Sequence, residues 1–171
     1  MTEISSQDES VIHDSNAQVE ESKIKKILIA IDKSGFKNKI ILNAIMLAKV
    51  LDATIIAIHV LDRAAMGVGW DLLSYYRGGK MENYENVLIK ESEDLLNEVK
   101  LLAQKDGITV DTKVITNSIS AADSIINYAK DSDVDLIIIG TKGLAGIDRF
   151  VMGGVANQVL SHAHCRVLAV R

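Results

Sequence analysis

The chain has 171 residues, 48% of them hydrophobic, with one cysteine and a formal charge of −4. That length fits one domain with a terminal extension, large enough to bury roughly 70% of the surface its unfolded form exposes. No run reaches the ~18 apolar residues of a membrane helix, no apolar leader opens the chain, Cys165 has no partner for an internal disulfide, and no basic stripe marks a nucleic-acid binder.

The expectation is therefore a cytoplasmic protein with neither a membrane nor a nucleic acid among its partners. The charge is uneven. Residues 1–22 hold six acids (Glu3, Asp8, Glu9, Asp14, Glu20, Glu21) and no Lys or Arg, so the rest of the chain carries all 19 bases against 17 acids. This opening segment is polar and without usable periodicity, which predicts a disordered acidic arm ahead of a domain over residues 23–171.

Lys26–Asp32 (KILIAID) reads as a buried strand that ends in an acid. Ile40, Ile41, Ala44, Ile45, Leu47 and Ala48 then recur at helical spacing and predict a helix over about Asn38–Leu51. Thr54–Val60 (TIIAIHV) is a second buried strand, in which His59 reads as a hydrogen-bonded core histidine. The loop Leu61–Lys80 contains four glycines, Trp70, Tyr75 and Tyr76, with a short helix expected over Leu72–Tyr76. A charged amphipathic helix follows over Glu85–Lys105, with Val87, Leu88, Leu95, Leu96, Val99 and Leu102 on its apolar side and Gly107 as its stop. Thr109–Thr116 alternates more and reads as a strand nearer the sheet edge. Ser120 with Asp123 three residues on approximates a capping box, opening a helix whose inner face is Ala122, Ile125, Ile126 and Ala129. Leu136–Ile139 is a strand buried on both faces and closed by Gly140. Val155, Val159 and Leu160 mark a last short helix, and Val167–Val170 a last strand.

Five strands alternating with four helices demand crossover connections, hence a mostly parallel sheet covered on both faces. Ligands of such sheets sit beyond the carboxyl ends of the strands, where strand order reverses. Asp32 and Gly140 follow two of those ends, which predicts a cleft between them. The glycines after the fourth strand suit an anion, because they let backbone approach phosphate at a helix start.

Neither the P-loop sequence nor a dinucleotide fingerprint after the first strand is present. What stands is Gly140-Thr141-Lys142-Gly143, nine residues, then Gly153-Gly154. That spacing resembles the universal stress protein family, whose nucleotide-binding members carry Gly-x2-Gly-x9-Gly-Ser/Thr at this place. The opening KILIAIDKS (Lys26–Ser34), HVLD (His59–Asp62), DLIIIGTKG (Asp135–Gly143) and the closing VLSHAHCRVLAVR (Val159–Arg171) extend the resemblance over nearly all of Ile24–Arg171.

The resemblance implies an α/β fold, a three-layer, Rossmann-like open twisted sheet of five parallel strands in the order 3-2-1-4-5 with two helices on each face. It also implies an adenine-nucleotide site for ATP, with or without Mg²⁺. Ala30 and Asp32 would stand at the end of the first strand, Val60 on the adenine side and Ile139 in the pocket wall. Gly140, Lys142 and Gly143 would cradle ribose and phosphates, and Gly153, Gly154 and Val155 would supply the backbone phosphate site. Lys142 and Arg149 suit neutralising phosphate, and Asp148 suits a phosphate-bound Mg²⁺. The family also implies a homodimer through the terminal strand, Arg166–Val170.

Two departures stand out. Gly154 replaces the motif Ser/Thr, which removes a hydroxyl donor to phosphate, and Ser118-Ile119-Ser120 stands where members often have Gly-x-Pro. No nucleophile elbow or spaced acid/base pair is present, and His162, His164 and Cys165 are too few and too close in sequence to make a metal-ligand set. The expectation is a non-enzymatic, nucleotide-loaded stress-response protein. The alternatives are a module of the same fold that has lost nucleotide binding and, further off, a nucleotidyl-transfer enzyme.

Overall fold

The computed structural model describes residues 23–33, 37–62, 81–141 and 152–171. The acidic arm, the short helix expected over Leu72–Tyr76, and Lys142, Gly143, Asp148 and Arg149 lie outside the described residues.

The elements run β1 (Lys26–Ala30), α1 (Lys37–Leu51), β2 (Thr54–Asp62), α2 (Met81–Gln104), β3 (Val110–Ser118), α3 (Ala121–Asp131), β4 (Leu136–Gly140), α4 (Gly154–His162) and β5 (Arg166–Val170). The five strands form one parallel sheet in the order β3-β2-β1-β4-β5. β3 is thus an edge strand, as its weaker apolar pattern indicates, and β5 is the other edge.

The β-branched runs of β1 and β4 alternate between two cores. Ile27, Ile29, Ile55, Ala57, Leu136 and Ile138 pack on the side of α1 and α2. Leu28, Ile58, Ile137 and Ile139 pack on the side of α3 and α4. Each face thus carries two helices, and the central strands are apolar on both sides because neither side meets water.

Two apolar patterns differ from the sequence reading. In α2 the buried line is Ser92, Leu95, Leu96, Val99 and Ala103, while Val87 and Leu102 are exposed. The core-facing stripe is one helical step away from Leu102. Ser92 is accommodated in it because its hydroxyl donates to the Leu88 carbonyl at 2.6 Å. In α4 the inward residues are Ala156 and Val159, and Val155 and Leu160 lean outward.

Three helices hand over to the next strand by one device. After α1, α2 and α3 a residue takes positive φ: Asp52 at 53°, Gly107 at 74° and Asp133 at 50°. The following N–H then reaches back to the helix: Ala53 to the Ala48 carbonyl at 3.0 Å, Ile108 to Ala103 at 3.1 Å and Val134 to Ala129 at 2.9 Å. This is the Schellman arrangement, and it satisfies carbonyls that a helix end leaves open. Only Gly107 announces itself in sequence, since Asp reaches this conformation without glycine's freedom. At the same end of the sheet, the Asp135 carboxylate accepts from the Lys25 and Lys26 N–H groups at 2.7 and 2.9 Å, tying the start of β1 to the start of β4.

Candidate functional site

At the opposite end, the chain leaves β1 toward β2 on one side and leaves β4 toward β5 on the other. β1 and β4 are paired through Ala30 and Ile139, so the strand order reverses between their carboxyl ends. A cleft of about 550 Å³ opens there, within the size range of small-molecule sites. Eight residues expected from sequence line it: Ala30, Asp32, Val60, Ile139, Gly140, Gly153, Gly154 and Val155. The other two, Lys142 and Gly143, lie outside the described residues.

The walls are largely apolar, formed by Ile58, Val60, Ile125, Ile139 and Ala156 on the side of α3 and α4. Polar character comes from Asp32, His59 and Asp62. His59 is half-buried and hydrogen-bonded, with Nδ1 lying 2.6 Å from the Ile31 carbonyl. It stands in the cleft wall rather than in the closed core that its apolar flanks suggest.

Two helices begin at this cleft, and they differ in one decisive respect. The start of α3 is satisfied by the protein itself. The Asp62 carboxylate accepts from the Ala121 N–H at 3.1 Å, and the Ser120 hydroxyl accepts from the Asp123 N–H at 3.2 Å. The start of α4 is not. Its N-cap is Gly153, which offers no side-chain acceptor, and its first turn has no acid. The first N–H bonded within α4 is that of Asn157, to Gly153. Gly154, Val155 and Ala156 therefore present N–H groups without an acceptor among the described residues. Such a helix start attracts negative charge through those donors and the helix dipole.

The roles within the glycine pair also divide. The Gly153 N–H is already committed to the Thr141 carbonyl at 2.8 Å. Gly153 thus closes the turn, and Ala156, which spacing did not mark, joins Gly154 and Val155 as a donor. A Cβ built on Gly154 meets no atom within 4 Å, so the space for the missing hydroxymethyl group is open.

The rim formed by Ser118-Ile119-Ser120 works differently from a Gly-x-Pro turn. Between Val60 and Asp62 the β2–β3 register slips, and Ser118 comes to pair with Asp62. Ser118 is buried and its hydroxyl accepts from that of Ser124 at 2.9 Å. Ile119 is exposed, and Ser120 caps α3. That slip brings Asp62 to the start of α3. Sequence shows Asp62 only as part of an HVLD run, because neither a bulge nor the start of a distant helix can be read from spacing.

Thr141 stands just behind the cleft. Its N–H donates to the Val170 carbonyl at 2.8 Å, at the end of β5. Its hydroxyl is buried, with no hydrogen-bond partner among the described residues. Cys165 is free and half-buried, and burial pushes its thiol above the ordinary value of 9.0. The His162 ring is engaged with the Gln158 carbonyl of its own helix at 3.0 Å. No helix among the described residues is long and apolar enough to cross a membrane.

Residues 23–171 match the model of the universal stress protein family. The chain is 32% identical to universal stress protein MJ0531 of Methanocaldococcus jannaschii over 151 residues, covering 88% of this chain and 84% of that protein. It is 31% identical to universal stress protein YxiE of Bacillus subtilis over 148 residues, covering 85% of this chain and 98% of the relative. Among solved structures, universal stress protein UspA from Lactobacillus plantarum has the same fold at a TM-score of 0.69 and 21% identity, over 87% of this chain and 99% of that one. The universal stress protein from Archaeoglobus fulgidus, solved in complex with dAMP, superposes with a TM-score of 0.61 at 21% identity, over 87% and 99% of the two chains. The chain belongs to the universal stress protein family.

Proposed function

We propose that this chain binds an adenine nucleotide, ATP with or without Mg²⁺, in the cleft at the carboxyl ends of β1 and β4, and that it acts in the stress response through its loaded state. The observation that carries this reading is the contrast between the two helix starts. α3 is capped by Asp62 and Ser120, whereas α4 offers Gly154, Val155 and Ala156 N–H groups beside an apolar wall. A ligand with an anionic end and a flat apolar end matches that pairing. The phosphates belong at α4, the base along Val60, Ile58 and Ile139, and Asp32 at the mouth.

The residues fit the group. Backbone donors hold phosphate without a dedicated side chain, and the cleft volume is of nucleotide scale. The dAMP complex of the Archaeoglobus fulgidus protein supports the same class of ligand. The donor set is one for holding, since N–H groups and apolar walls orient and retain a nucleotide without moving a proton. The proposal is therefore a non-enzymatic sensor working in the cytoplasm, where adenine nucleotides are plentiful.

The reading extends to a homodimer through β5, Arg166–Val170. β5 is a sheet edge whose Val167, Leu168 and Ala169 are only half-buried in the single chain, and an apolar edge is a pairing hazard unless it is used. Gly154 supports a second reading, a module of this fold that has lost nucleotide binding. Denaturing the purified protein, identifying any released nucleotide, and titrating the emptied protein with Mg-ATP separates the two. Released adenine nucleotide or a saturable heat supports the site. No released nucleotide and no heat at millimolar ATP refutes it. Light scattering on the same sample tests the dimer, and a monomer at working concentration refutes the β5 pairing.

A further inference from the structure

The cleft contains one ring whose hydrogen-bonding roles the backbone dictates. His59 Nδ1 lies 2.6 Å from the Ile31 carbonyl oxygen. A carbonyl only accepts, so Nδ1 carries the proton. In the neutral ring that leaves Nε2 as a bare acceptor. The arrangement is held from both sides, because the Ile31 N–H donates to the Ile58 carbonyl at 2.9 Å, one residue before His59. Ile31 is thus gripped by consecutive residues of β2, and the ring is fixed against the carboxyl end of β1.

Nε2 has no hydrogen-bond partner among the described residues, and it is not among the buried polar atoms left without one. His59 itself lines the cleft beside Asp32, Val60 and Asp62. Both carboxylates accept when ionised, so this part of the site is a run of acceptors, opposite in character to the N–H groups at the start of α4.

We propose that His59 is a specificity-determining residue that accepts a hydrogen bond from a donor on the nucleoside part of the ligand. The proposal rests on the nucleotide reading of the cleft and deepens it by naming what the end away from the phosphates selects. A nucleoside offers two kinds of donor, ribose hydroxyls and the exocyclic amine of adenine. An acceptor fixed by the backbone favours ligands that bring such a donor and disfavours those that do not, because a site built to bond a donor is left unpaired without it.

The test turns on the two ring nitrogens having separate roles. His59→Asn keeps a donor near the Nδ1 position, able to reach the Ile31 carbonyl, and removes the Nε2 acceptor. His59→Phe removes both. Calorimetry would follow ATP, 2′-deoxy-ATP, 3′-deoxy-ATP and the purine-riboside triphosphate lacking the 6-amine. The expected result is that His59→Asn melts close to the unchanged protein yet binds ATP about fivefold more weakly. Against one of the three analogues the loss should vanish, and that analogue identifies the donor read by Nε2. Full ATP affinity in His59→Asn overturns the proposal and leaves only the Ile31 anchor. An equal loss for all four ligands also overturns it. Absence of binding by the unchanged protein overturns the nucleotide reading and this inference with it. ¹⁵N spectra of histidine-labelled protein give a readout that needs no ligand. In the neutral ring the proton is expected on Nδ1, and a neutral ring protonated at Nε2 instead removes the basis of the proposal.

Discussion

Restoring the hydroxyl at Gly154 tests the phosphate site directly. Gly154 is the first residue of α4, and a Cβ there meets no heavy atom within 4 Å, so Gly154→Ser introduces no overlap. The new hydroxyl extends from the same helix turn whose N–H groups are proposed to hold phosphate. A hydrogen bond to a charged acceptor contributes about 1.5–3 kcal/mol, and ordering the serine rotamer takes back a few tenths. The net gain of about 1–2.5 kcal/mol corresponds to roughly 5- to 60-fold tighter ATP binding. The empty protein changes little. Serine is the better helix residue by about 0.5 kcal/mol, which raises the melting temperature by roughly 1–2 °C in a domain of this size. Calorimetric titration of both proteins with ATP, AMP and adenosine separates these effects. The gain should appear for ATP and AMP and be absent for adenosine, which has no phosphate to meet. Unchanged ATP affinity in a folded Gly154→Ser protein refutes the placement of phosphate at α4. An equal gain for adenosine refutes it as well, because the effect then comes from general tightening.

Three further outcomes follow from contacts elsewhere in the molecule. Asp62→Ala removes the acceptor for the Ala121 N–H at the start of α3 and should cost about 1 kcal/mol, a fall of roughly 2–4 °C in melting temperature, with Asp62→Asn recovering part of it. Thr141→Val keeps the shape and both backbone bonds of a residue whose buried hydroxyl has no partner among the described residues, so it should raise stability by about 1 kcal/mol, and a fall would show that the hydroxyl is bonded. Cys165 has its thiol raised above 9.0 chiefly by burial, so the unfolded chain ionises first as pH climbs. The margin by which the natural protein exceeds Cys165→Ala should hold below pH 9 and narrow as pH rises toward the folded-state value; a constant margin in thermal melts from pH 7 to 10.5 counts against that burial.

The strands and the ordering of elements are legible in the sequence because both faces of β1 and β4 are buried and their β-branched runs are unbroken. The crossovers then demand a mostly parallel sheet, while the strand order 3-2-1-4-5 is what the family resemblance implies. The site is legible in part. Asp32 and Gly140 stand at strand ends, and strand ends are what apolar runs mark, whereas Val60 lies inside β2 and comes only from the family resemblance. Asp62 and Ala156 are not legible, since each matters through where a second element begins. Asp62 reaches α3 only after the β2–β3 register slips. Ala156 becomes a donor because the Gly153 N–H is spent on Thr141. His59 shows the limit from another side. Its apolar flanks correctly give a hydrogen-bonded histidine, but the residue lines the cleft, because its ring is bonded to the Ile31 carbonyl just beyond the carboxyl end of β1.

The bond from the Gly153 N–H to the Thr141 carbonyl has a consequence for how distant parts of the molecule communicate. Thr141 is itself bonded to the Val170 carbonyl, so two consecutive backbone bonds run from the last residue of β5, through the end of β4, to the cap of α4. A displacement of that edge strand is therefore passed through backbone alone to the N–H groups of Gly154, Val155 and Ala156 at the cleft.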